Sequence, residues 1–254
     1  EVVIATNGTL ITEDVARKLS KLEIAGVAIS LDFMEPELHD KFRGVKGAWE
    51  RAINGIKNSV NAGLYLQINI TLSKLNYNEL PQLLKLADDL GSHVILLYQF
   101  QPFGRGSVRN DIALTPDEFL EVIKKVAEMQ KDLKTLVVPI GLPEYFAYLS
   151  DRVHNFKNLF RGCNAGLGMF YVKWNGDVWP CVFLQIKVGN VLEKPAIEIW
   201  RNNDFLNKLR DRNNLEEPCR SCKYRDYCGG CRSRAYNITG NPFAKDPACP
   251  FYRD

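Results

Sequence analysis

Apolar residues recur along the first half of the chain with two alternating periods. The runs at residues 2–6 (VVIAT), 26–31 (GVAISL), 66–72 (LQINITL) and 94–100 are short and largely apolar, which predicts four strands. Residues 12–22, 48–62, 79–90 and 116–129 repeat apolar positions at helical spacing and predict four intervening helices. The ends carry matching signals. Thr12 followed by Glu13 and Asp14 suits a helix start, Gly63 and Gly91 close the second and third helices, and Thr115 with Pro116 opens the fourth. Strands alternating with helices of ten or more residues imply parallel βα units. Four units are fewer than a closed barrel needs, which leaves an incomplete (β/α) barrel or a doubly wound sheet.

The alternation stops near residue 133, and a mixed Pro, Gly and aromatic stretch runs to residue 161. Beyond it, residues 170–174 and 177–180 flank Asn175-Gly176, a dipeptide suited to a two-residue hairpin turn because both positions tolerate positive φ. The hairpin would carry Cys181 back towards Cys163. Residues 197–209 then predict one or two short helices packed by Ile197, Trp200, Phe205 and Leu209. The expected domains are therefore residues 1–132, a bridging region at 133–161, and a second domain at 162–254.

Composition narrows the function classes. Of 254 residues, 46% are hydrophobic and 25% charged, as in an ordinary globular protein. A net charge of +3 is too small to argue for a nucleic-acid partner. No apolar run reaches the roughly 18 residues of a membrane span, and no secretory signal precedes the first strand, so a cytoplasmic protein without a membrane partner is expected. Residue 1 is Glu, and a strand pattern starts at once, which suggests the remainder of a longer chain.

The chemistry concentrates in the cysteines. Residues 219–231 read CRSCKYRDYCGGC, placing Cys219, Cys222, Cys228 and Cys231 in the spacing C-x2-C-x5-C-x2-C. Gly229 and Gly230 let the backbone bend so that several sulfurs aim at one region. Thiolates at this spacing suit zinc or an iron-sulfur cluster. Cys163, Cys181 and Cys249 bring the total to seven, an odd number that fits a disulfide framework poorly and exceeds what one tetrahedral zinc uses.

The order Cys163, Cys181, the cluster at 219–231 and Cys249 resembles the SPASM domain, the C-terminal module of many radical S-adenosylmethionine enzymes, which holds two auxiliary 4Fe-4S clusters. The family usually has three residues where this chain has Gly229 and Gly230 between its last pair of cysteines. The resemblance implies that Cys163, Cys181 and Cys231 hold the cluster nearer the barrel, with its fourth position filled by something other than cysteine. It implies that Cys219, Cys222, Cys228 and Cys249 hold the distal one. Arg220, Lys223, Arg225, Arg232 and Arg234 surround these ligands and either offset the negative charge of the clusters or form a solvated basic surface.

In the first half, TNGTLI, ISLD at 29–32, HDKFRG at 39–44 and INITLSKLN at 68–76 resemble the later strands of a radical S-adenosylmethionine barrel. The implied fold is α/β: a partial (β/α)6 barrel, later strands only, followed by a small α+β cysteine-rich domain. Ser30, Asp32, Asn69 and Thr71 would line the S-adenosylmethionine site, with Arg43 for the carboxylate; the plainer reading has Asp32 and Asn69 capping loops. Gln99, Gln101 and Arg105 end the last predicted strand and could face substrate. His39, His93 and His154 read as structural or surface residues. The family's C-x3-C-x2-C loop, which holds a third 4Fe-4S cluster, and its Gly-Gly-Glu motif have no counterpart here, so the first strand would be the family's third.

The resemblance implies an oxidoreductase in which a 5′-deoxyadenosyl radical removes hydrogen from substrate, with an electron donor such as ferredoxin or flavodoxin. A peptide or protein maturase is the first expectation, and haem, tetrapyrrole or other cofactor assembly on a small precursor the second. A non-enzymatic iron-sulfur carrier or scaffold is the third. Val182 follows Cys181 where sulfatase maturases typically have aspartate, which disfavours that subclass.

Overall fold

The computed structural model describes residues 1–153 and 162–252, with the side chain of Arg105 also outside the described set. Two compact units divide the chain: residues 1–100 with 124–140, and residues 101–123 with 141–254.

The first unit is built on five parallel strands, β1 (Val3–Thr6), β2 (Gly26–Ser30), β3 (Leu66–Leu72), β4 (Val94–Gln99) and β5 (Leu136–Ile140), hydrogen-bonded in the order β1-β2-β3-β4-β5. Strand order follows chain order without the reversal that defines a doubly wound sheet, so the sheet is a barrel segment. Helices α1 (Glu13–Leu19), α2 (Pro36–Arg43), α3 (Ala48–Asn61) and α4 (Leu80–Asp89) fall between the strands, and α5 (Pro116–Met129) bridges the division between units. Period-two burial separates the sheet faces: along β3, Leu66, Ile68, Ile70 and Leu72 are buried, whereas Gln67, Asn69 and Thr71 are only half-buried. Val27, Ile29, Ile95 and Leu97 extend the buried face, against which α3 packs. Registered with the other face are Ser30, opposite Asn69, and Tyr98, opposite Thr71.

The helix ends follow the sequence signals. Thr12 accepts from the Val15 amide at 3.3 Å, and Thr115 and Glu118 form a reciprocal capping box, with bonds of 3.3 and 2.7 Å.

Three elements depart from expectation. Helix α2 occupies a stretch to which the sequence pattern assigns no element, since its eight residues carry too few apolar positions to show helical period; Pro36 at its first turn and Gly44, with φ of +72°, mark its ends. Strand β5 and helix α6 (Pro143–Ser150) lie within 133–161, read as a bridge. Pro139 argues against a strand there, yet β5 is an edge strand, where a missing amide donor is tolerated. The expected boundary at residue 132 consequently cuts through the first unit.

In the second unit, β6 (Tyr171–Val172), β7 (Asp177–Trp179) and β8 (Gly189–Asn190) form an antiparallel sheet. The hairpin is present, but Lys173 and Asp177 close it around three residues, with Gly176 at φ +83°. Helices α7 (Ala196–Asn202), α8 (Asp204–Arg210) and α9 (Arg232–Thr239) complete the unit. Its core gathers Ala165, Leu184, Leu206 and Leu209, with Cys163 and Cys181 packed against it. No described helix is long and apolar enough to cross a membrane.

Candidate functional site

The cysteine loop is shaped by consecutive tight turns. The amide of Arg225 donates to the Cys222 carbonyl at 2.9 Å, and the amides of Tyr227 and Cys228 both donate to the Tyr224 carbonyl. Cys163 is tied to this loop from far away in sequence, its amide donating to the Cys228 carbonyl at 3.1 Å while the Cys163 carbonyl accepts from Arg212 Nη2 at 3.0 Å. The approach requires glycine at residue 162: φ is +67°, and a Cβ there would lie 2.0 Å from the Cys228 oxygen.

All seven cysteines are free thiols and fall into two sets. Cys219, Cys222, Cys228 and Cys249 wall one cavity together with Glu144, Asp246 and Tyr252. Cys163, Cys181 and Cys231 are close enough to act electrostatically on one another. The hairpin helps bring the last set together, as the Gly166 amide bonds to the carbonyl of Pro180, next to Cys181. Among the described residues, no three Cys, His, Asp or Glu side chains converge as ligands of a single ion.

Burial dominates the thiol chemistry. It pushes Cys181 and Cys249 up to about 11, and it also raises Cys219, Cys228 and Cys231. Arg234 opposes the effect at Cys231. A group that binds these sulfurs as thiolates must therefore release protons and supply positive charge.

The surroundings suit such a group. The Gly230 amide points at Cys228 Sγ from 3.2 Å and the Tyr224 amide at Cys222 Sγ from 3.4 Å, both poised to stabilise thiolates. Arg232 is fully buried; three bonds to carbonyls of Gly230, Pro242 and Ala244 hold it, and its Nη2 has no acceptor. An unmet buried guanidinium donor beside anionic ligands fits an iron-sulfur site.

Of the five basic residues noted in the sequence, Arg220 and Lys223 are exposed and Arg225 half-buried; they pair with Glu217, Asp151 and Asp226. Arg234 is buried between Asp246 and Glu144, with Nε 2.6 Å from Asp246 Oδ1. Burial disfavours its charge, but the Asp246 carboxylate more than restores it. Burial also raises Glu144 well above the usual carboxyl range, and Asp246 pushes it the same way, so Glu144 is held neutral beside the ionised pair. Composition gives no sign of these carboxyls, although Asp246 stands three residues before Cys249.

In the first unit, Asp32 is fully buried. Its carboxylate pairs with Arg43 through Nε at 2.7 Å and through Nη2, and it accepts the Thr71 amide at 2.8 Å. Asn76 ties the same corner together by donating to the carbonyls of Asp32 and Thr71. Three of the five expected S-adenosylmethionine residues thus form one network at the C-terminal ends of β2 and β3, where Asp32 orders the strand-to-helix turn. Ser30 and Asn69 sit one register step below, on the half-buried face. Gln99 and Gln101 are both buried, Gln101 against Cys231 and Ser233 rather than solvent. His154 lies outside the described residues.

His39 is buried with Nδ1 accepting the Asp32 amide at 3.2 Å. Desolvation lowers its pKa from 6.5, and the nearby Asp32 carboxylate only partly offsets this. The unfolded chain takes up this proton more readily than the folded one, so His39 weakens the fold as pH falls through 6.5. Urea unfolding at stepped pH should show stability dropping below that value. His39→Gln should flatten the slope, and an unchanged slope would assign it to other groups.

Two family descriptions match the chain: the radical SAM superfamily over residues 1–87, and the SPASM iron-sulfur cluster-binding domain over residues 163–223. An AdoMet-dependent heme synthase of Methanosarcina barkeri is 35% identical over 98% of this chain and 74% of its own. The chain belongs to the radical SAM superfamily. Another AdoMet-dependent heme synthase, from Nitratidesulfovibrio vulgaris, is 31% identical over 98% of this radical SAM chain and 71% of the relative. A PqqA peptide cyclase of Granulibacter bethesdensis is 28% identical over 97% and 66%. The fold is shared with Streptococcus suis SuiB bound to S-adenosylmethionine, at a TM-score of 0.75 and 20% identity, over 97% of this chain and 59% of SuiB. The chain thus spans about three-fifths of that neighbour's length.

Proposed function

We propose that this chain is the barrel and auxiliary-cluster portion of a radical S-adenosylmethionine oxidoreductase that modifies an iron tetrapyrrole or its precursor. The observation that carries the iron-sulfur part is the division of seven buried or half-buried thiols into a set of four walling one cavity and a set of three elsewhere. A cavity walled by four thiols, with amide donors aimed at its sulfurs, favours a polynuclear cluster over one zinc ion. Cys219, Cys222, Cys228 and Cys249 would hold one 4Fe-4S cluster and Cys163, Cys181 and Cys231 another. A third such cluster belongs to the radical-generating loop that the sequence lacks.

Bound S-adenosylmethionine, with that third cluster, supplies the hydrogen-abstracting radical. This chain's own residues do the holding: Ser30, Asn69 and Thr71 present polar atoms on the half-buried sheet face, and Asp32 fixes the Thr71 backbone and the Arg43 guanidinium at its edge. The substrate class rests on the heme synthases at 31–35% identity. A peptide substrate is the second reading, favoured by the 28% identity to a PqqA peptide cyclase. An electron donor such as ferredoxin or flavodoxin would serve either reading.

Anaerobic reconstitution followed by iron and sulfide analysis should give about eight irons per chain. Stoichiometric zinc without sulfide would overturn the iron-sulfur reading. Titrating the reconstituted chain with Fe-coproporphyrin III should shift the porphyrin absorption saturably at one equivalent. No shift on a fully loaded chain would remove the tetrapyrrole assignment and leave the peptide reading.

A further inference from the structure

Cys231, Ser233 and Gln101 close a small ring of hydrogen bonds inside the second unit. Gln101 Nε2 donates to Cys231 Sγ at 3.4 Å, the Ser233 hydroxyl donates to Gln101 Oε1 at 2.9 Å, and Cys231 Sγ and Ser233 Oγ lie 3.1 Å apart. Gln101, Ser233 and Cys231 are 4%, 2% and 5% exposed. The hydroxyl has one proton and spends it on Gln101, so the thiol donates to Ser233 and every member gives and accepts one bond in the same sense around the ring.

Gln101 comes from a segment 130 residues earlier in the chain, and the carboxamide has been drawn out of solvent. Burial of a carboxamide costs stability unless its polar atoms are paired, and here the ring pairs both of them. When Cys231 ligates iron it loses its proton, and with it the bond that it donated to Ser233. The Ser233 hydroxyl can then turn through its free rotor and donate to the sulfur, while Gln101 Nε2 already points there. Two neutral donors would converge on one thiolate in a dry surrounding.

We infer that Gln101 and Ser233 are positioning residues that hydrogen-bond the Cys231 thiolate and raise the reduction potential of the auxiliary cluster it holds, an inference that rests on the iron-sulfur reading above. Donors to a ligand sulfur disperse its negative charge, and reduction adds negative charge to the cluster, so the reduced state gains more. Exclusion of water from the three buried side chains strengthens each bond relative to its value in water. The ring therefore sets how readily this cluster accepts an electron.

The test is an EPR-monitored redox titration of the reconstituted chain, comparing wild type with Gln101→Met, Ser233→Ala and Ser233→Thr. Cys181→Ala identifies the spectral component to follow, as the one that it removes. Methionine keeps the volume of Gln101 without its donor. That component should move to lower potential in Gln101→Met and Ser233→Ala, with the reduced-to-oxidised ratio at fixed potential falling about tenfold, or 59 mV for one electron. Ser233→Thr should restore the wild-type potential, and the other component should stay in place.

An unchanged potential in Gln101→Met at full iron content would overturn the inference and leave the iron-sulfur reading intact. Equal shifts of both components would do the same, since they would report general loosening. Should Gln101→Met lose iron, the Ser233→Ala and Ser233→Thr pair decides by the same criterion. A wild-type chain that takes up no iron and sulfide would overturn both readings.

Discussion

Replacing Asp246 by Ala is expected to cost about 3–5 kcal/mol, because it removes the main counter-charge of a buried guanidinium rather than a surface pair. Arg234 lies against Asp246 with Nε at 2.6 Å from one carboxylate oxygen and Nη2 at 2.6 Å from the other. The same carboxylate accepts the amides of Cys231 and Ala248, so its loss also strips two buried backbone donors. Glu144 stays 3.5 Å from Arg234. Without Asp246 to repel it, Glu144 can ionise and return part of the lost attraction, which places the cost near the lower end of the range. Anaerobic urea unfolding at pH 7 measures this. A loss below about 1 kcal/mol would show that the arginine finds solvent or another partner at little cost.

Cys181→Ala and Cys249→Ala should each remove a different auxiliary cluster, taking iron from about eight to about four per chain. Cys249 lines the four-cysteine cavity, whereas Cys181 acts on Cys163 and Cys231. Neither set holds a spare thiol to take the place of the one removed. Cys228 and Cys231 belong to different sets although only Gly229 and Gly230 separate them, so either loss should also loosen the loop that both anchor. Mössbauer and EPR spectra of the two variants decide the matter. If both abolish the same component and spare the same one, these two cysteines share a cluster and the division into sets is wrong.

The parts of the fold read correctly from sequence are those governed by local periodicity. Helices α3, α4 and α5 span several turns each, long enough for the 3.6-residue period to stand out, strands β2 and β4 carry largely apolar runs, and β3 alternates apolar with polar residues. Helix α2 is two turns with a charged surface, and β5 contains Pro139, so each presents a local signal that its tertiary setting overrides. The hairpin at Asn175-Gly176 was legible in its turn residues, but the length of its loop depended on how Lys173 and Asp177 paired. Arg232 and Arg234 look in sequence like the other basic residues around the cysteines, and only packing separates these two buried cations from the exposed Arg220 and Lys223.

Spacing and residue type were sufficient for the parallel βα plan and for the cysteine-rich character of the second half, because each depends on neighbours within a few residues. Strand order, the sharing of thiols between two sets, the Asp32–Arg43 pair and the placement of Gln101 beside Cys231 bring together residues 11 to 130 positions apart. Side-chain periodicity carries no information about such meetings. They are decided by which buried charges and polar groups must find partners once the two cores have closed.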